Sequence, residues 1–84
     1  MNRFMLAFTW QQPPDPALAG SEHDRVVELI DGGQMEQVFL ASDRSRGWLV
    51  MLAESEDAAL ESASTLPFYP AMHIVATALL DRFP

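Results

Sequence analysis

Three segments of the chain are apolar at almost every position, and this feature most limits the folds open to it. The segments are residues 4–10, 48–53 and 72–80. Each is short and is bounded by turn-forming residues, which is typical of buried strands. A strand with one face in water alternates apolar and polar residues, so strands that lack this alternation indicate a sheet covered on both faces.

The segment after the first strand predicts a helix with two candidate starts. Asp15 before Pro16 fits a cap followed by proline at the first helical position, and Ser21 with an acidic residue three positions later resembles a capping box. Gly32-Gly33 supplies a left-handed stop. We therefore expect one helix that begins at one of these starts and ends at the glycines.

A hairpin and a second helix follow the first helix. Residues 35–41 alternate partially, residues 42–47 form a polar turn, and residues 48–53 are the third strand. Ser55 is a good N-cap for a helix that Pro67 ends. With the last strand at 72–80, the order of elements is strand, helix, strand, strand, helix, strand.

This order predicts one ferredoxin-like α+β domain over residues 1–84, with a four-stranded antiparallel sheet and two helices on one face. A chain of 84 residues has no third layer for the other face. A second copy of the same sheet is the simplest cover. We expect a symmetric sheet-to-sheet homodimer, a dimeric α/β barrel that could form higher homo-oligomers, with a small organic ligand in the cavity between the sheets.

The charge and composition of the chain argue against several classes of partner. Twelve acidic residues against five basic ones, all arginine, give a net charge of −7, which repels phosphate backbones and anionic lipids. No stretch approaches the roughly 20 apolar residues of a membrane span. Cysteine is absent, and His23 and His73 are 50 residues apart without paired ligand spacing. We expect a cytoplasmic protein that binds no nucleic acid, membrane, metal or cofactor.

The stretch 66–74, Leu-Pro-Phe-Tyr-Pro-Ala-Met-His-Ile, resembles the signature of the muconolactone isomerase family, in which Leu-Pro, an aromatic residue and Pro precede a strand. The order of elements agrees over the whole chain. The resemblance implies a dimeric α+β barrel and cofactor-independent proton transfer on an unsaturated lactone. The family pattern carries an acidic residue where this chain has His73.

His73 is the first candidate for a catalytic residue. It shares a strand face with Val75, Thr77 and Leu79, whereas the opposite face is purely apolar and suits the helices. We therefore expect His73 to point toward the partner sheet, where an imidazole could move a proton near neutral pH. The alternative is a hydrogen-bonded histidine at a dimer seam.

Charged residues at strand ends extend the candidate site. Arg3 could hold a ligand carboxylate or lactone oxygen, and because the first strand neighbours the last in this fold, Arg3 and His73 are expected to line one space. The alternative for Arg3 is a solvated side chain or one paired with an acid of its own chain. Glu54, the candidate second catalytic residue, and Glu36 are proton acceptors only if their carboxylates face the cavity. The alternative for both is an exposed charge at the edge of the sheet. The substrate-binding candidates are completed by Met5, Trp48 and Tyr69.

Two functions remain open at this point. The first is an isomerase-like enzyme that works by proton transfer on a small unsaturated lactone or aromatic-derived acid. The second is a non-catalytic module for ligand binding or assembly, in which Met5, Met51 and Met72 fill the space between the sheets. A titrating group within reach of a ligand-sized void distinguishes the enzyme from the module.

Overall fold

The computed structural model describes residues 1–80, which form a four-stranded antiparallel sheet and two helices. The strands are β1 (Asn2–Trp10), β2 (Met35–Leu40), β3 (Arg46–Ala53) and β4 (Met72–Leu79), and the helices are α1 (Ala19–Asp31) and α2 (Glu56–Ala63). The strands lie in the order β2-β3-β1-β4. The predicted ferredoxin-like α+β architecture is confirmed, and dimerisation stays a prediction.

The hydrophobic core lies between the sheet and the two helices. Alternate side chains of β1 point into it, and α1 and α2 each contribute a buried stripe. Its buried members include Phe4, Leu6, Phe8, Leu29, Ala59 and Ala63. The residues of α2 in this core are alanines, so this helix can approach the sheet closely. No helix of residues 1–80 is both long and apolar enough to cross a membrane.

The two candidate starts of the first helix have different outcomes. The Asp15 carboxylate accepts a hydrogen bond from the backbone N–H of Ala17 at 2.9 Å and caps a 3₁₀ turn at Pro16–Leu18. α1 follows directly on this turn, so Ser21 lies inside the helix and its capping-box interpretation is wrong. The stop is confirmed at Gly33, whose φ of +80° is costly for residues with a Cβ.

The second half of the chain follows the prediction with two shifts. α2 ends at Ala63 and not at Pro67, because the chain turns there and the Leu66 N–H donates to the Ala63 backbone oxygen at 3.0 Å. The Ser55 hydroxyl accepts a hydrogen bond from the backbone N–H of Ala58 at 3.1 Å, which confirms the cap of α2. β3 begins at Arg46 instead of residue 48, because Arg46 and Gly47 already pair with β1. Position 47 requires glycine because a Cβ there would lie 2.6 Å from atoms of the Phe8 ring.

Candidate functional site

The face of the sheet opposite the helices carries a broad apolar surface, which we call the open face. It consists of Arg3, Met5, Ala7 and Thr9 from β1, Gln37 and Phe39 from β2, Arg46, Trp48, Val50 and Leu52 from β3, and His73, Val75, Thr77 and Leu79 from β4. Neither helix covers it, and Phe39 and Val75 are 52% and 58% exposed. The sequence prediction of an apolar second face is confirmed.

His73 lies on the open face, near the start of β4. It pairs with Thr9 of β1, and Thr9 pairs on its other side with Arg46 of β3. A depression of about 150 Å³ adjoins this row and is also lined by Trp48 and Val75. His73 and Trp48, two of the residues selected from the sequence, thus line one small hollow.

Arg46 is the cation that the structure brings to the His73 end of the sheet. Neighbouring strands are about 4.8 Å apart, so the Cα atoms of Arg46 and His73 are separated by about 10 Å across Thr9. A ring-sized ligand over Thr9 can therefore have a guanidinium on one side and an imidazole on the other. From the sequence, Arg46 is expected in a turn. The one indication that it lies on the open face is its position two residues before Trp48, because side chains two residues apart on a strand point to the same face.

Arg3 lies at the opposite end of the open face and is held by an acid. Its Nε and Nη2 donate to Oε1 and Oε2 of Glu36 at 3.1 and 2.8 Å, so the pair is bidentate. Arg3 pairs with Leu79, whereas His73 pairs with Thr9, six residues further along β1, or about 20 Å away. The expectation that Arg3 and His73 line one space is therefore wrong, and the alternative of a pair with an acid of the same chain is confirmed.

Glu54 and Tyr69 both lie away from His73. Glu54 follows the end of β3, and its backbone oxygen accepts a hydrogen bond from the side chain of Asn2 at 3.1 Å, which places it at the Arg3 end of the sheet. Tyr69 opens a 3₁₀ turn and packs against the helix-side core. Neither residue is on the open face, because one lies beyond its strand and the other precedes β4.

The methionines divide between the two sides of the sheet. Met5 is on the open face, where it pairs with Val50 and Thr77. Met51 and Met72 are 0% and 7% exposed and belong to the helix-side core. The expectation that Met51 and Met72 fill a space between two sheets is wrong, because both side chains point to the helix side of the sheet.

Glu22 of α1 has a carboxyl group that is partly buried. Its Oε1 accepts a hydrogen bond from the backbone N–H of Phe68 at 2.9 Å. Burial raises the pKa of the Glu22 carboxyl above its ordinary value, and the hydrogen bond from Phe68 offsets part of that effect. Glu22 is the one ionisable residue among those that line a cavity of about 150 Å³ between α1 and the sheet. Only tertiary packing of the loop after α2 creates this environment.

The histidine and acidic side chains of residues 1–80 are dispersed over the part of the chain that the structure describes. No three histidine, aspartate or glutamate side chains are grouped there as a metal site requires. His23, the other histidine, is largely exposed on α1, with Nδ1 3.8 Å from an Asp24 carboxylate oxygen. Among residues 1–80, the ionisable residues that line pockets include His73 and Arg46 at one end of the open face, Arg3 at its other end, Glu22 on the helix side, and Arg44 at the end of the sheet.

The fold places the chain in the class of small ferredoxin-like α+β domains. No family model matches the sequence, and no curated protein matches it significantly. Eight chains among the solved structures do match, and one is the crystal structure of muconolactone isomerase at 3.3 Å resolution. The TM-score is 0.74 at 24% identity, over 98% of this chain and 91% of that one. The likeness shows a common fold, in agreement with the resemblance in the order of elements.

Proposed function

We propose that this protein is a sheet-to-sheet homodimer that catalyses cofactor-independent proton transfer on a small unsaturated lactone or aromatic-derived acid. The observation that carries the proposal is the row His73, Thr9 and Arg46 at one end of a face whose middle is mainly apolar. In this scheme His73 moves the proton and Arg46 binds the carboxylate or lactone oxygen. Met5 and Trp48 contribute apolar surface to the substrate site.

The dimer is supported by the distribution of polarity on the open face. The apolar side chains, among them Met5, Trp48 and Val50, lie in the middle, and the charged groups lie toward the two ends. Stable interfaces have this arrangement of a dry centre and a polar rim. Burying apolar surface contributes about 25 cal/mol per Å², and this gain, which opposes the free-energy cost of association, supports a second sheet as the cover of this face.

The chemistry follows from the two groups that flank Thr9. A neutral imidazole can accept a proton from a carbon next to a carbonyl group. The electron pair left on that carbon shifts the double bond through an enolate, whose oxygen the Arg46 guanidinium stabilises. The imidazolium then returns a proton to the far carbon of the conjugated system. The product is an isomer, and no oxidant or reductant is consumed.

Proton exchange into a lactone tests the catalytic part of the proposal. Muconolactone, after which the solved structure's protein is named, is the first probe, and NMR in D₂O follows deuterium uptake and double-bond migration. We expect His73→Ala to lower the rate by about a hundredfold or more, which is the usual contribution of a general acid or base. Arg46→Ala should raise KM as well as lower kcat, because the guanidinium contacts substrate before and during the reaction.

Thr77→Ala is the matched control, because Thr77 lies on the same face and strand as His73 but outside the depression beside it. This variant should keep the wild-type rate and sediment as the wild type does. An absence of exchange with wild-type protein, or a rate in His73→Ala equal to that of the wild type, contradicts the catalytic proposal.

A non-catalytic assembly module is the second candidate function. It is favoured by the filling of the open face, where Val50 is only 7% exposed even in a single copy. The depression beside His73 is small, at about 150 Å³. In this case His73→Ala weakens association instead of turnover, so sedimentation of the same variant distinguishes the two functions.

A further inference from the structure

We propose that the cavity between α1 and the sheet, which we call the inner cavity, binds a six-membered aromatic ring that carries one hydrogen-bond donor. The carboxyl of Glu22 accepts the hydrogen bond from that donor. The site lies on the helix side of the sheet and does not depend on the open face or on dimerisation.

The walls of the inner cavity define the ligand as a ring. Apart from Glu22, every side chain that lines it is apolar: Phe8, Trp10, Val26, Val38, Leu40, Leu49, Phe68 and Met72. Its volume is about 150 Å³. An apolar cavity of that volume accommodates one benzene molecule, as an engineered cavity in another protein does.

Three aromatic side chains at one side of this cavity already form an edge-to-face cluster. The Trp10 ring lies 5.0 Å from Phe8 at 70° and 5.9 Å from Phe68 at 82°. Trp10 Nε1 donates to the backbone oxygen of Arg44 at 2.9 Å, so its polar atom is satisfied and directed away from the ligand. A fourth ring can extend the cluster with the geometry that aromatic pairs prefer.

The Glu22 carboxyl defines the polar group of the ligand. One oxygen accepts the Phe68 N–H at 2.9 Å, and a carboxylate has acceptor sites for several donors. A half-buried carboxylate among apolar side chains has lost part of its hydration, which the raised pKa of Glu22 reflects. A hydroxyl or amine on the ring replaces that hydration, whereas a ligand carboxylate would be repelled.

A larger cavity at the end of the sheet shares part of its lining with the inner one. It has a volume of about 820 Å³ and is lined mainly by the loop after β1, with the prolines 13, 14 and 16 on one side. Trp10, Leu40 and Phe68 line both cavities and therefore lie between them. A substituent on the far side of the ring can extend into this outer space.

Titration with three probes of one size tests the proposal on the full-length chain. The probes are benzyl alcohol, benzylamine and toluene, followed by ¹H–¹⁵N NMR. We expect saturable shifts of the Phe68 amide, with toluene binding about tenfold more weakly than benzyl alcohol because it lacks the donor. The benzylamine arm reports whether a positive charge is preferred to a neutral donor.

Substitutions of Glu22 separate the acceptor from the cavity. Glu22→Leu should abolish the preference for benzyl alcohol over toluene, and Glu22→Gln, which keeps an oxygen acceptor, should weaken benzylamine more than benzyl alcohol. Asp24→Asn is the matched control on α1, since Asp24 is exposed and outside the cavity. Val26→Phe fills the cavity and should weaken all three probes together.

Three results would overturn the inference. The first is that no probe causes saturable NMR shifts. The second is that Glu22→Leu still prefers benzyl alcohol to toluene and Glu22→Gln binds benzylamine and benzyl alcohol in the wild-type ratio. The third is that the NMR shifts are confined to the open face around His73. The last result assigns the ring to the site of the proposed function instead. Because Glu22→Gln is nearly isosteric, it keeps the test decisive if Glu22→Leu fails to fold, and neither variant alters the proton-transfer row of His73, Thr9 and Arg46.

Discussion

The two faces of the sheet are built from the same kinds of residue but are completed in different ways. On the helix side, Leu6, Met35 and Met51 are at most 1% exposed, because α1 and α2 cover them. On the open face, Phe39 and Val75 remain more than half exposed. The chain therefore covers one apolar face by itself and leaves the other exposed.

The ionisable groups differ between the faces in the same way. On the helix side a single carboxyl, that of Glu22, enters an apolar cavity and is satisfied by a backbone N–H of the same chain. On the open face His73 and Arg46 lie in a shallow, exposed hollow. Burial among apolar side chains raises the pKa of Glu22. His73 and Arg46 are open to solvent in a single copy, and in the proposed dimer a second sheet would cover them.

The largest difference between the two faces is expected in the free energy of unfolding when one side chain of each face is truncated. Leu6→Ala removes a core side chain with 0% exposure and should lower the free energy of unfolding by about 3 kcal/mol. Its neighbour Met5 faces the open side, so Met5→Ala should cost much less in dilute, monomeric protein. Urea unfolding at low concentration measures both. Equal losses would contradict the assignment of the two faces.

Association is the next largest effect. Phe39→Asp places a charge on the open face and should weaken the proposed dimer by about a hundredfold, because each copy buries an uncompensated carboxylate. Leu18→Asp is the control, since Leu18 is also exposed but lies in the 3₁₀ turn before α1. Sedimentation over a range of concentrations separates them. A Phe39→Asp protein that associates like the control would exclude the open face as the interface.

Helix capping gives a smaller and more local effect. Ser55→Ala removes the hydroxyl that accepts the Ala58 N–H and should lower the free energy of unfolding by about 1 kcal/mol. Ser21→Ala should be neutral or slightly stabilising, because Ser21 is inside α1 and alanine is the better helix former. Thermal or urea unfolding of the two variants gives the comparison. A larger loss at Ser21 would restore the capping-box interpretation.

The two serines show which parts of the fold could be predicted from sequence. Strands, their order and the cap at Ser55 follow from local patterns and turn residues, and the structure has them within a few positions. Ser21 fits a capping pattern equally well, but the chain already turns into a helix at Asp15 and Pro16. Of the two candidate helix starts, Asp15 is the one used, and it is the one that comes first after the end of β1.

The candidate site depended on information that local patterns do not hold. The face of His73 follows from alternation along one strand, so it was predictable. Its neighbours depend on the register between strands, which brings Arg46 beside it and places Arg3 at the far end. Glu22 required the loop after α2 to fold back over α1, and no spacing in the sequence encodes that contact.

The smallest expected effect is the part of the pH dependence of stability that Glu22 contributes. Because its pKa is raised in the folded protein, the folded state binds the Glu22 proton more tightly than the unfolded state does. Stability from this group is therefore fully present below the ordinary glutamate pKa and is lost as pH rises through the higher folded value. Glu22→Gln removes the titration, so wild-type protein should lose stability relative to this variant over that window.

Urea midpoints from below the ordinary glutamate pKa up to neutral pH measure this difference between wild type and Glu22→Gln. Asp24→Asn on the same helix is the control, since its exposed carboxyl lies outside the cavity. Bound benzyl alcohol should reduce the pH dependence, because its hydroxyl stabilises the ionised carboxyl that the apolar walls disfavour. If the urea midpoints of the wild type and Glu22→Gln change with pH in parallel, water reaches the Glu22 carboxyl freely. Glu22 on the helix side would then be no more shielded from solvent than His73 and Arg46 on the open face.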